Sequence, residues 1–350
     1  MSARPTWAKW VTRISLLIGI VALVITIKNL GLDTIAEQFR LIGWWWFAVI
    51  ALEIAITSMD ATAIRCFMSP ESDRIKLRST LLAQLAGRSI NAVTPGGNLG
   101  EVVKSSVLTE HVSQSRAVAT ILLYNVVSFS VELLVVAVAA PFLALLVPMP
   151  SGLTWLFLIA GAACLVISIG IYAFVRRGML SSLARLALRL RLISKARHAR
   201  WDGKLRAIDD KVRLVAGART RDRVLGIALV TLSRLTSMTL SLMVFHAIGG
   251  ELTLGFIAGY TVGGFVVYMV STLVPMGLGV SEGGFAGLVK ALGGDWRKGA
   301  TMVLARRVTL VLYAATGLVL MTVNETVKRA RARQRTAEQK LPVTVPDSGV

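Results

Sequence analysis

Thr94-Pro95-Gly96-Gly97-Asn98-Leu99-Gly100-Glu101 interrupts an otherwise apolar sequence with a proline, three glycines and a carboxylate. A related interruption returns late in the chain, as Val274-Pro275-Met276-Gly277-Leu278-Gly279-Val280-Ser281-Glu282-Gly283-Gly284. Each follows an apolar segment and precedes a short helix-like one. In hydrocarbon, unpaired backbone amides and carbonyls are costly, so non-helical chain survives there only when buried in protein or lining a wet cavity. Two such breaks at matching places in two halves point to a transporter-like site. The bland alternative is a pair of ordinary polar loops outside the bilayer, because Pro and Gly punctuate loops everywhere.

The surroundings of both breaks are those of an integral membrane protein. Hydrophobic residues make up 55% of the 350 positions and charged ones only 17%, with a mean hydropathy of +0.67. Many windows reach the roughly 20 apolar residues that a spanning helix needs. Cys66 and Cys164 both fall in apolar stretches and read as small packing residues. The histidines are His111, His198 and His246, and no zinc-protease, nucleophile-elbow or phosphate-loop motif accompanies them. No catalytic residue, metal site or cofactor is therefore expected. The first apolar segment, 11–30, follows Arg4, Lys9 and Arg13 like a signal peptide. Its length and the lack of a small-residue cleavage site make it an uncleaved span.

Spans are predicted at about 10–30, 44–67, 117–147, 153–175, 224–248 and 300–323. Residues 31–43 read as a mixed-charge connector. The Trp44-Trp45-Trp46 cluster that follows suits an interfacial belt. Residues 81–93 are apolar but short, and lead into the first break. Residues 252–274 lead into the second. From Arg176 to Arg223 the chain holds fifteen Lys/Arg against four Asp/Glu, a surplus of eleven out of the whole chain's +20. Leu180, Leu183, Ala187 and Leu190, then Leu205, Ile208, Val212 and Val215, recur at helical spacing among these cations. Such basic amphipathic helices suit an anionic lipid surface. A solvated face with no specific role is the competing reading. Its place between two spans argues against nucleic acid.

Lys/Arg excess marks the cytoplasmic side of short loops. The N-terminus, residues 74–78, the 176–223 segment and the C-terminal tail are basic, whereas 148–152 and 249–251 carry no Lys or Arg. Putting all basic regions on one side requires 81–108 to enter and leave on the cytoplasmic face, and 252–292 on the outer face. Lys28, Arg40, Arg297 and Lys298 then fall on the opposite side. The expected fold is an all-α integral membrane protein of about six full spans plus two re-entrant broken-helix hairpins in an inverted repeat. It forms one polytopic domain over 1–340, with half one at about 10–147 and half two at about 153–325. Residues 341–350 read as a disordered tail. The expected location is the bacterial inner membrane, multi-pass, with both termini cytoplasmic.

Charges inside such spans are expensive and each asks for a reason. Glu101 and Glu282 close the two breaks. Arg88 and Asn91 precede the first, and Lys104 lies one turn beyond Glu101. Arg306 and Arg307 lie in the span after the second, where they either serve the site or snorkel to the interface. With Pro95, Gly96, Gly97, Gly100, Pro275, Gly277 and Gly279, these residues form the candidate site for a polar lipid headgroup. Helix capping is the structural alternative for Glu101 and Glu282. Glu53 and Glu132, which no glycine break accompanies, read as structural. Asp60 also lies in a span.

The run from Pro95 to Lys104 resembles the proline–glycine–glutamate signature of flippase-like membrane proteins, as does the run from Pro275 to Glu282 with Arg306–Arg307 downstream. These proteins are similar to the transmembrane region of lysylphosphatidylglycerol synthase, the multiple peptide resistance factor, over roughly residues 10–330. The resemblance implies a helical bundle that moves or handles lipids in the bacterial inner membrane. In relatives the span after the first signature often carries a Glu-Arg pair followed by Asp, where this chain has Tyr124-Asn125 and Ser128. The synthases add a soluble aminoacyl-transferase domain that this sequence does not include, so lysyl transfer from tRNA is not expected. Some stand-alone relatives are associated with hopanoid or glycolipid pathways.

The leading expectation is thus a lipid translocator without an ATP site. The alternatives are a membrane-embedded lipid-modifying enzyme using Glu101 or Glu282 as acid or base, and a non-catalytic partner that recruits a pathway enzyme through 176–223. Membrane lipids are the expected partners; the oligomeric state is left open.

Overall fold

The computed structural model describes residues 32–93, 99–148, 151–177, 203, 210, 219–272 and 279–338. Within them every regular element is a helix. In chain order these are α1 (Leu32–Ile42), α2 (Trp45–Phe67), α3 (Leu77–Val93), α4 (Leu99–Leu108), α5 (Gln114–Leu146), α6 (Ser151–Arg177), α7 (Thr220–Ala247), α8 (Leu254–Ser271), α9 (Val280–Ala291) and α10 (Trp296–Glu338). A single 3-10 turn, Glu71–Arg74, joins α2 to α3.

Six of these helices are long and apolar enough to cross a membrane: α2, α5, α6, α7, α8 and α10. The protein is a multi-pass membrane protein. The expected first span, at 10–30, lies outside the described residues, as do most of the basic segment and the 341–350 tail. The sixth place goes to α8, whose 18 residues rise about 27 Å, close to the hydrocarbon thickness of roughly 30 Å. The expected connector at 31–43 is instead a helix, α1. Its inward face carries Gln38 and Ile42, exposed by only 3% and 2%, and Phe39 stacks on Trp46 at 4.7 Å. Gly43, at φ +55°, ends it in a left-handed conformation that costs glycine nothing.

The two broken segments are antiparallel helix pairs. In the first, Gly87 of α3 faces Lys104 of α4 while Asn91, one turn later, faces Gly100. In the second, Gly259 of α8 faces Leu292, Gly263 faces Leu288, and Val267 faces Gly284. Partners thus recede on one arm as they advance on the other, which only antiparallel arms allow. Small residues set the approach: a Cβ on Gly100 would lie 2.0 Å from the Gly87 carbonyl oxygen.

Helices α2 and α7 hold corresponding places in the two halves, each just before a hairpin. They pack along their length in opposite directions: Phe67 meets Gly226 near one end, Asp60 meets Ser233 mid-way, and Trp45 meets His246 edge-on at the other end. The halves are therefore inverted, related by an axis in the membrane plane. The remaining contacts follow that symmetry. The first hairpin's α3 packs on α10, and the second hairpin's α8 packs on the equivalent helix, α5.

Two polar faces bound the bundle. On one, Arg116 at the start of α5 donates to the Ser69 carbonyl at 2.6 Å and meets Glu71 at 3.0 Å, while Arg219 reaches Asp73 at 3.5 Å. On the other, Lys298 donates to the Gly249 carbonyl, near α1 and the Trp44–Trp46 cluster. Between these faces Ile54, Phe142, Trp155, Ile159, Val166 and Val319 point outward and exposed. A soluble protein seldom exposes so wide an apolar girdle; in a bilayer it faces lipid.

Candidate functional site

The first break is tied down by side-chain chemistry rather than by helix continuity. Glu101 sits in the first turn of α4, where the helix dipole favours a negative charge. One of its oxygens accepts from Asn91 Nδ2 and from Lys104 Nζ, both at 2.9 Å. The other accepts from Asn125 Nδ2 of α5 at 2.9 Å. Asn91 also accepts from the Gly100 amide at 2.7 Å, so one side chain bridges both arms. The Lys104 side chain is only 4% exposed, and its ammonium lies 5.4 Å from the centroid of the Tyr124 ring. A buried cation is tolerated here because a carboxylate and an aromatic face accompany it.

The second break repeats the theme with different residues. Gly279, at φ +76°, precedes α9 and donates its amide to Glu282 Oε2 at 2.9 Å. Ser281 donates to the same oxygen at 3.0 Å, and Arg307 of α10 meets Oε1 at 2.5 Å. Glu282 therefore caps its own helix and pairs across to the next.

Two further charged clusters lie on the neighbouring helices. Arg88 donates to Glu53 at 2.9 Å and to Thr57 at 3.1 Å, and its guanidinium covers the Tyr313 ring at 4.4 Å. Deeper still, Asp60 is 1% exposed. It accepts from Ser233 at 2.6 Å, Gln84 at 2.9 Å and Arg234 at 2.9 and 3.0 Å. Arg234 also reaches the Tyr124 hydroxyl at 3.2 Å and lies 3.7 Å from Glu132. Tyr124 joins this cluster to the first break, since its ring also faces the Lys104 ammonium.

Arg306 is different. Its guanidinium bonds the Ser241 hydroxyl and stands beside buried Tyr260. Among the described residues no carboxylate lies within 4 Å of it, whereas Lys104, Arg88, Arg234 and Arg307 each have one.

A family model described as lysylphosphatidylglycerol synthase TM region matches residues 13–317. The chain belongs to this family. Searches of curated proteins and of solved structures give no match.

In this member of the lysylphosphatidylglycerol synthase transmembrane family, the sequence-derived site residues divide into separate groups. Asn91, Gly100, Glu101 and Lys104 come together at the first break, and Gly279, Glu282 and Arg307 at the second. Arg88 is drawn instead to Glu53 on α2, a residue that reads as structural from the sequence. Arg306 turns toward Ser241 of α7. Pro95, Gly96, Gly97, Pro275 and Gly277 lie outside the described residues. Asn125 contacts the first break with an amide, and Tyr124 meets Lys104 and Arg234. Sequence reading missed Arg234 altogether. The rule that flagged Asp60, a charge inside an apolar span, applies equally to it. Tyr313 and Gln84 carried no such signal.

Proposed function

We propose that this protein is a lipid translocator of the bacterial inner membrane, and that it receives a polar headgroup between its two Pro/Gly/Glu breaks. The observation that carries the reading is the placement of paired charges at both breaks against shared helices. Arg307, the partner of Glu282, and Tyr313, which lies under Arg88, are six residues apart on α10, a rise of about 9 Å. Both hairpins thus reach one helix within two turns. Arg306, which no carboxylate neutralises among the described residues, offers a guanidinium fork that matches phosphate or carboxylate oxygens. Intramembrane charges beside interrupted helices are what a midplane site for a charged group requires. The basic face bearing Arg116 and Arg219 is the cytoplasmic one in this reading, with the 176–223 segment lying on anionic lipid there.

The test is reconstitution of the purified chain in liposomes carrying a panel of fluorescent lipids, followed by the rate at which each becomes accessible to an external quencher. Translocation exceeding that of empty liposomes, lowered in Glu101→Gln and Glu282→Gln, is the expected result. A chemically altered lipid would point to an enzyme instead. Unchanged flux from a folded double variant would remove both carboxylates from the site.

A further inference from the structure

Among the described residues the intramembrane carboxylates pair off with cations, with one left over. Glu101 has Lys104, Glu53 has Arg88, and Glu282 has Arg307. Arg234 faces two acids. Its short contacts, at 2.9 and 3.0 Å, go to Asp60, whose oxygens also take Ser233 and Gln84. Glu132 receives only the long contact, at 3.7 Å. One guanidinium cannot neutralise two carboxylates, and Asp60 has the better share.

Glu132 is also the most exposed member of the triad. Its side chain is 31% exposed, against 2% for Asp60. It stands well inside the 33-residue helix α5, with more than 20 Å of helix by the usual rise of about 1.5 Å per residue on either side. The groups facing it come from several elements: Arg234 from α7, Asp60 from α2 and Tyr268 from α8. Glu101 of α4 and Arg306 of α10 lie in range of that same Tyr268. From α6 the polar neighbour at this level is Ser168, bonded to the Ser130 carbonyl at 3.2 Å. Because the Asp60 oxygens are already occupied by donors, the triad offers a loose carboxylate rather than an oxygen cage, which suits a proton better than a metal cation.

We propose that Glu132 is a proton-exchange site in mid-membrane. When it takes up a proton, one O–H bond forms on the carboxylate and Arg234 belongs to Asp60 alone. When it releases the proton, the carboxylate draws Arg234 back and ties α5 to the α2–α7 pair. The proton site stands on this geometry; that it drives lipid movement rests on the translocator reading above.

Two measurements on the full chain in lipid test it. Infrared difference spectra stepped from acidic to alkaline pH should contain a protonated-carboxyl band that vanishes in Glu132→Gln and persists in Glu53→Gln. In liposomes, lipid flux should change several-fold when an imposed pH gradient is collapsed, and Glu132→Gln should lose that dependence. No band assignable to Glu132 overturns the proposal whatever the flux does. A band accompanied by flux that follows a sodium gradient, or no gradient, overturns the coupling. A band without flux of any lipid leaves the proton site standing and removes the translocator reading.

Discussion

Arg234 and Asp60 meet across the interface between the two halves, 174 positions apart, with one guanidinium nitrogen 3.0 and 2.9 Å from the two carboxylate oxygens. They lie on α7 and α2, the equivalent helices whose antiparallel packing defines the inversion. A polar contact inside a bilayer averages only about 0.6 kcal/mol. Removing one partner of a buried ion pair costs about 3–5 kcal/mol, because it strands the other charge. The second effect dominates here.

Arg234→Met should therefore destabilise the protein by about 3–5 kcal/mol, and Asp60→Asn added to it should restore part of the loss. Reversible denaturant unfolding of the wild type, both single variants and the double variant in detergent measures the coupling. Strictly additive single effects would mean that the pair contributes nothing to holding the halves together.

Glycines at the hairpins divide into two kinds. A Cβ on Gly100 would meet backbone oxygen at 2.0 Å, whereas one on Gly287 of α9 meets nothing within 4 Å. Gly100→Ala should force the first hairpin apart, at a cost of about 1–3 kcal/mol or more. Gly287→Ala should be neutral or stabilise by about 0.5–1 kcal/mol through helix propensity. The melting temperature should fall in Gly100→Ala and hold or rise in Gly287→Ala, and equal falls would contradict the packing.

Hydropathy and the two glycine-rich breaks made the helical membrane fold legible before any coordinates, because hydrocarbon admits so few backbone solutions. The inverted arrangement was legible from Lys/Arg placement. Helix α1 was not, since its mixed charges hide a buried stripe that exists only once Trp46 and α10 cover it. Of the site, the partners close in sequence were readable, such as Lys104 one turn from Glu101. Partners from distant helices were not: nothing in the spacing of Arg88 shows that Glu53, 35 positions away, lies nearer to it than Glu101 does. Charge periodicity reports a helix face, and pairing depends on which helix that face meets.

The face bearing Asp73 and Arg219 should be cytoplasmic, by the Lys/Arg rule. With Cys66 and Cys164 replaced by alanine, a single cysteine at Glu251 should react with an impermeant maleimide on intact cells. One at Asp73 should react only after permeabilisation. The reverse pattern would turn the protein over in the membrane.

Arg306 provides the sharpest separation of function from structure. If it serves only to hold Ser241 and Tyr260, Arg306→Gln loses a charge-assisted hydrogen bond of about 1.5–3 kcal/mol, and stability falls with little effect on substrate preference. If it receives an anionic headgroup, the variant should remain folded, because the guanidinium has no carboxylate partner within 4 Å among the described residues to strand. The half-saturating concentration of a phosphate-bearing lipid should then rise about tenfold or more, as expected when some 1.4 kcal/mol of binding is lost, while a neutral lipid is unaffected. Arg306→Lys should recover only part of the loss, since an ammonium keeps the charge and gives up the planar fork. Measuring unfolding and lipid-dependent flux on the same three preparations decides between the two. A stability loss with an unchanged lipid preference would return Arg306 to the scaffold.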